Sequence, residues 1–113
     1  MNDNLIALIY TRVSSLSQET HGSGNESQEI RCREYANHSG WDVGEVFRDA
    51  FTGAGDYMNR PEMRRLIAYI KEHKSKKFVV IFDDIKRLSR ETSAFISLIA
   101  LFKTLDVSIQ CLN

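Results

Sequence analysis

Apolar residues in this chain fall in short blocks separated by polar stretches, and the blocks alternate between two rhythms. Leu5-Ile6-Ala7-Leu8-Ile9 is an unbroken run, which predicts a strand buried on both faces. Within a few residues, at Tyr10-Thr11-Arg12-Val13-Ser14, the chain turns polar. Ser15 to Ser27 is polar and glycine-bearing and reads as a mobile loop. Asn25 and Gln28 have the spacing of a capping box. They predict a helix through about His38, with Cys32, Tyr35 and Ala36 as a modest apolar stripe and Gly40 as its C-cap. Trp41 to Phe47 has the β-branched and aromatic content of a second strand.

Asp49 to Asn59, with Gly53 and Gly55, reads as a loop. Pro61 suits the first turn of a helix, where its missing N–H costs nothing. Met63, Leu66, Ile67 and Ile70 then recur at i, i+3, i+4 and i+7, the core face of an amphipathic helix. Lys71 to Lys77 close it with positive charge at the negative end of its dipole. Phe78-Val79-Val80-Ile81-Phe82 predicts the central strand, followed by Asp83-Asp84-Ile85-Lys86-Arg87-Leu88-Ser89-Arg90. Thr92 is placed to cap a third helix, in which Phe95, Leu98, Ile99 and Phe102 repeat the helical period. Val107 to Leu112 is the last strand. Strands alternating with helices predict an α/β domain with right-handed crossovers and a mostly parallel sheet of about four strands, helices covering both faces. The halt just after a core strand reads as a piece of a longer protein.

Composition narrows the class. With 113 residues there is room for one domain with a real core and not for two. No apolar run approaches the roughly 20 residues of a membrane span, and the N-terminus lacks a signal pattern, so a soluble cytoplasmic protein is expected. Fifteen basic residues balance fifteen acidic ones, a formal net charge of +0. That counts against a main DNA-binding module gripping by bulk charge, and leaves room for a few arginines gathered at one phosphate. Cys32 and Cys111 lie far apart with no metal-ligand spacing, which predicts buried free thiols and neither a disulfide nor a zinc site.

Ligands of open α/β sheets collect at the carboxyl ends of the strands. The first strand delivers Tyr10, Arg12 and Ser14 to that rim, and the third is followed by Asp84, Arg87 and Arg90. Arg87 and Arg90 are three apart and share a face if the chain is helical there. A serine hydroxyl among guanidinium groups suggests a nucleophile facing a phosphodiester, because arginine binds phosphate oxygens bidentately and neutralises charge built up in a transition state. No glycine-rich phosphate loop with its lysine is present. Singly, each residue has a plainer reading. Ser14 and Gln28 serve as caps, Tyr10 packs its ring and wets its hydroxyl, and the arginines are solvated surface groups.

Together the motifs resemble the catalytic domain of the serine recombinases, the family of resolvases, DNA invertases and large serine integrases. The resemblance is carried by Tyr10-Thr11-Arg12-Val13-Ser14, by Gln28, by Asp49 with Gly53, by Arg60-Pro61 and by Arg87-Leu88-Ser89-Arg90. It runs through nearly the whole chain, and the polar insertion after Ser14 is most similar to the large-integrase branch. It implies a resolvase-like three-layer fold and a metal-free phosphoryl transfer on DNA, with Ser14 as nucleophile and a 5′-phosphoserine intermediate. By the family pattern Arg12, Arg87 and Arg90 hold the phosphate, Arg60 is a further cation, Gln18 and Gln28 are supporting polar contacts, and Tyr10 and Asp49 orient neighbours. The implied partners are DNA and further copies of the protein, as dimer and tetramer, with no membrane. The oligomerisation helix and DNA-binding modules lie outside residues 1–113, so these residues alone are expected to bind DNA poorly and to be inactive.

The family usually carries an aspartate immediately before the first arginine of Arg-x-x-Arg, where this chain has Lys86. Asp84 is the expected replacement, on the same side as position 86 if the extended path continues; Lys86 is alternatively an extra phosphate contact. Two rival functions stand beside the enzyme. Asp83 and Asp84 at a strand end also suit a magnesium-binding phospho-acceptor receiver domain, although the first strand lacks the usual acidic pair. The other is a catalytically inert resolvase-like binding module.

Overall fold

A computed structural model describes residues 5–13, 24–50, 60–87 and 92–113, without the side chains of Lys86 and Thr92. Its elements are β1 (Ile6–Val13), α1 (Asn25–Ser39), β2 (Asp42–Ala50), α2 (Pro61–Glu72), β3 (Phe78–Phe82), a 3-10 turn (Ile85–Arg87), α3 (Thr92–Thr104) and β4 (Ser108–Cys111). The four strands form one sheet in the order β2-β1-β3-β4, every neighbouring pair parallel. The α/β expectation therefore holds, with the sheet wholly parallel among the described residues.

Alternation along β1 divides the core in two. Leu8 and Tyr10 point to one face, where Met63, Leu66, Ile67 and Ile70 of α2 and Leu98 and Phe102 of α3 pack with Phe78, Val80 and Phe82. Ala7 and Ile9 point to the other, against Cys32 and Ala36 of α1 with Val79 and Ile81. Both faces are dry, which is why β1 and β3 read as continuous apolar runs. The edge strand β4 is only half covered. Cys111 on it is half-buried and not in the core as expected, whereas Cys32 is fully buried; both thiols are free.

Several expected boundaries move, among them the end of α2, which stops at Glu72 and leaves Lys74, Lys76 and Lys77 beyond the helix. The helix α1 starts at Asn25 with Gly24 as its N-cap and no side-chain cap, so residues 25–27 are helical and the capping box does not form. The competing bonds are tertiary: Asn25 Nδ2 reaches the Asp49 carbonyl at 3.4 Å, and Gln28 is drawn to β1. The strand β2 continues to Ala50, because β1 pairs with it as far as Val13↔Ala50, and this places Asp49 in a strand instead of a loop. The last strand is shorter than expected, Ser108–Cys111. Thr92 is the first residue of α3, and its capping role lies outside the described side chains. Gly40, at φ 79°, is the left-handed C-cap of α1 that its position predicts.

Candidate active site

The carboxyl ends of β1 and β2, the N-terminus of α2 and the turn after β3 meet at one rim of the sheet. β1 contributes two buried polar residues, Tyr10 and Arg12, at 0% and 4% exposure. Register pairs Arg12 with Asp49 of β2. Asp49 is the hub on that side. Its Oδ2 accepts the Tyr10 hydroxyl at 2.8 Å and the Met63 amide at 3.1 Å, and its Oδ1 accepts the Glu62 amide at 2.9 Å. A carboxylate from the sheet thus caps α2, where free N–H groups and the positive dipole end favour an anion. This frees Arg60, the nominal N-cap residue, from capping; its side chain makes no cap bond. Pro61 holds Arg60 extended, at φ −100° and ψ 114°.

Arg60 and Arg12 converge on the same atom. Arg60 Nη1 donates to the Arg87 carbonyl at 2.9 Å, and Arg12 Nε donates to it at 3.2 Å. Arginines from β1, from the start of α2 and from the turn after β3 are thereby brought together. Arg60 also stands near Tyr10. Burial foremost, then the charge of Asp49, pushes the Tyr10 hydroxyl well above its ordinary range, with Arg60 opposing the shift. Tyr10 is a neutral donor to Asp49, and its hydroxyl is buried, not wet.

Gln28 links α1 to this rim. Its Oε1 accepts the Arg12 amide at 3.0 Å, and its Nε2 donates to the Arg12 carbonyl at 3.0 Å. A primary amide matches both backbone groups of one residue beyond the stretch where β3 pairs with β1, which ends at Ile9↔Ile81. Gln28 therefore fixes the backbone that carries Arg12.

Past Phe82 the extended path stops. A 3-10 turn begins at Ile85, so strand alternation does not relate position 84 to position 86. Asp84 is half-buried, and its carbonyl accepts the Arg87 amide at 2.9 Å. The acid that grips Arg87 is Asp83: its Oδ1 accepts Arg87 Nε at 3.0 Å, while its Oδ2 accepts Arg31 Nη2 of α1 at 2.6 Å. The sequence pattern suggested Asp83 only for the receiver alternative and gave Arg31 no part. The available signals were Asp83 four residues before Arg87, and Arg31 one helical turn after Gln28. Ser14, Gln18 and Arg90, together with the side chain of Lys86, lie outside the described residues.

A buried tyrosine–carboxylate pair and three clustered arginines, one of them held by a carboxylate, give the carboxyl rim of this parallel α/β sheet the means to hold an anion. The family follows from comparison. The model of the resolvase N-terminal domain matches residues 7–113, and the chain belongs to that family. No curated protein sequence matches it significantly. Among solved structures, the N-terminal catalytic domain of TP901-1 integrase is 31% identical with a TM-score of 0.83, covering 96% of this chain and 78% of that one. The C-terminal catalytic domain of ISC1926 TnpA, an IS607-like serine recombinase, is 29% identical with a TM-score of 0.80, covering 96% of this chain and 68% of that one. A resolvase family site-specific recombinase from Streptococcus pneumoniae shares the fold, at 21% identity and a TM-score of 0.77, covering 96% of this chain and 72% of that one.

Homology to serine recombinase catalytic domains supports a recombinase role in general and gives no support to the receiver reading. Locally, each oxygen of Asp83 accepts an arginine. Among the described residues, no helix is long and apolar enough to cross a membrane.

Proposed function

We propose that this chain is the catalytic domain of a serine site-specific recombinase of the large-integrase branch, and that Ser14 is its nucleophile. The Ser14 hydroxyl oxygen bonds to the scissile phosphorus as the phosphorus–O3′ bond breaks; the hydroxyl proton leaves, and the 3′ oxygen takes one up. A 5′-phosphoserine link and a free 3′ hydroxyl result. After exchange of the cleaved ends the same steps run in reverse, so the phosphodiester energy is retained in the covalent link and no nucleotide cofactor or metal is needed. Arg12, Arg87 and Arg90 hold the phosphate and offset its growing charge, Arg60 adds a further cation, and Gln18 supplies a polar contact. Tyr10, Asp49 and Gln28 position these groups, and Asp84 is a candidate proton donor to the leaving oxygen.

The observation that carries this reading is the convergence of Arg12 and Arg60 on the Arg87 carbonyl at the strand-end rim. The likeness to the catalytic domain of TP901-1 integrase supports the branch. The reaction takes place on DNA in the cytoplasm, within a dimer that becomes a tetramer. DNA binding and oligomerisation rest on modules other than residues 1–113, so these residues alone bind target DNA weakly.

The test is to incubate the full-length protein with a nicked target and isolate the protein–DNA adduct. Mapping is expected to place the DNA on Ser14, adduct is expected to form in the presence of a chelator, and Ser14→Ala is expected to bind the target without forming any. Adduct on another residue, or its persistence in Ser14→Ala, removes Ser14 from the role. An intact parent that binds but never forms adduct leaves the inert binding module as the correct reading.

A further inference from the structure

We infer that Asp83 is the positioning residue for Arg87, and that Arg31 sets how Asp83 does this. The inference rests on the reading of Arg87 as a phosphate-binding group. Asp83 is buried, with a side chain 8% exposed, while the Arg87 side chain is 20% exposed and that of Arg31 45% exposed. The carboxylate is divided between two arginines, one oxygen each.

That division matters for Arg87. A lone carboxylate facing an arginine pairs with it in a two-pronged fork and occupies part of the edge that a phosphate would use. With its second oxygen held by Arg31 at 2.6 Å, Asp83 takes only Nε of Arg87. Among the described residues the two terminal nitrogens of Arg87 make no hydrogen bond, which leaves that pair for an anion. The backbone end of the same residue is fixed independently by Arg12 and Arg60 through its carbonyl. Arg87 is therefore clamped at both ends before substrate arrives, and a preorganised guanidinium loses less freedom on binding than a free one. The acid in question is one residue earlier than the one the sequence pattern suggested, because the 3-10 turn brings Arg87 back over the end of β3.

The experiment measures adduct formation by the full-length protein on a nicked target, with single-turnover rates taken across DNA concentration. Asp83→Asn keeps shape and removes charge. It is expected to slow the limiting rate about 10- to 100-fold with DNA affinity changed less than about twofold, as a misplaced active-site group does. Arg31→Gln lets the carboxylate close on Arg87 with both oxygens, and is expected to slow the same step by about two- to tenfold. In an Arg87→Ala background, followed long enough to read a thousandfold slower rate, neither change is expected to cost anything further.

Rates within twofold of the parent for both variants overturn the inference, as do losses that persist undiminished when Arg87 is absent. Arg31→Gln lies on the half-exposed side and carries the same test should Asp83→Asn fail to fold. Failure of the recombinase reading is separately visible, because the parent would then form no adduct at Ser14.

Discussion

The Tyr10 hydroxyl and the Asp49 carboxylate, 39 positions apart, meet at 2.8 Å in the buried seam between β1, β2 and α2. The same carboxylate takes the Glu62 and Met63 amides. One side chain thereby ties the strand that carries Arg12 to the helix that Arg60 precedes, so fold stability and site geometry share a group here. Asp49→Ala is expected to destabilise the domain by about 2–4 kcal/mol, since two helix N–H groups and a buried phenol lose their acceptor. Tyr10→Phe leaves both amide bonds intact and is expected to cost about 1 kcal/mol. Denaturant unfolding of the two variants against the parent checks the order; equal losses would show that capping of α2 is not the larger part.

Gln28 meets the amide and the carbonyl of Arg12 with one acceptor and one donor. Gln28→Ala is expected to cost about 2–4 kcal/mol by the same unfolding measurement, because buried backbone groups lose good partners. Gln28→Glu is expected to be at least as damaging at neutral pH, where a carboxylate oxygen would face the Arg12 carbonyl. Its deficit should shrink on acidification, when the protonated acid regains a donor. A pH-independent deficit would contradict the two-bond arrangement.

Burial pushes the Cys32 thiol up to about 12, with Asp83 adding to the shift, and the side chain is fully enclosed beneath α1. Cys111 sits half-buried on the edge strand. Alkylation of the folded protein at about pH 8 is therefore expected to label Cys111 alone, with Cys32 reacting after denaturant is added. Mass mapping of the label reads the outcome, and early labelling of Cys32 would show that α1 opens readily.

Glu29 lies on the outer face of α1 with Arg33 at 2.7 Å and Arg48 at 2.6 Å. Burial alone would raise its carboxyl, but hydrogen bonds from Arg33 and Arg48 outweigh it and hold the group below its ordinary 4.5. A depressed carboxylate contributes stability that is fully present above the unfolded value and is lost as pH falls through the folded one. Between about pH 6 and pH 3 the parent is thus expected to lose stability more steeply than Glu29→Gln, by a small margin because the arginines are half-exposed. Parallel curves for the two proteins would remove the ion pairs from the account.

The order and type of the strands and α-helices were legible from local pattern. Unbroken apolar runs can only be strands covered on both faces, and the i, i+3, i+4, i+7 spacing of Met63, Leu66, Ile67 and Ile70 can only be one side of a helix. The described motif residues Tyr10, Arg12 and Arg87 do meet at one rim, because a strand delivers whatever follows its apolar run to its carboxyl end. Misplacements came where a residue had a local use and a distant one. Asn25 and Gln28 have capping-box spacing, yet their side chains bond β2 and β1, Asn25 at the Asp49 carbonyl and Gln28 at the amide and carbonyl of Arg12. Asp49 follows a plausible strand end and is nevertheless in the strand, because pairing with β1 extends it. Asp83 binds Arg87 through Nε, a contact that strand alternation did not suggest, since a turn and not an extended chain follows β3. Periodicity is a property of adjacent residues and survives in the sequence; which carboxylate meets which guanidinium depends on register and on the path between elements, and those exist only once the sheet has closed.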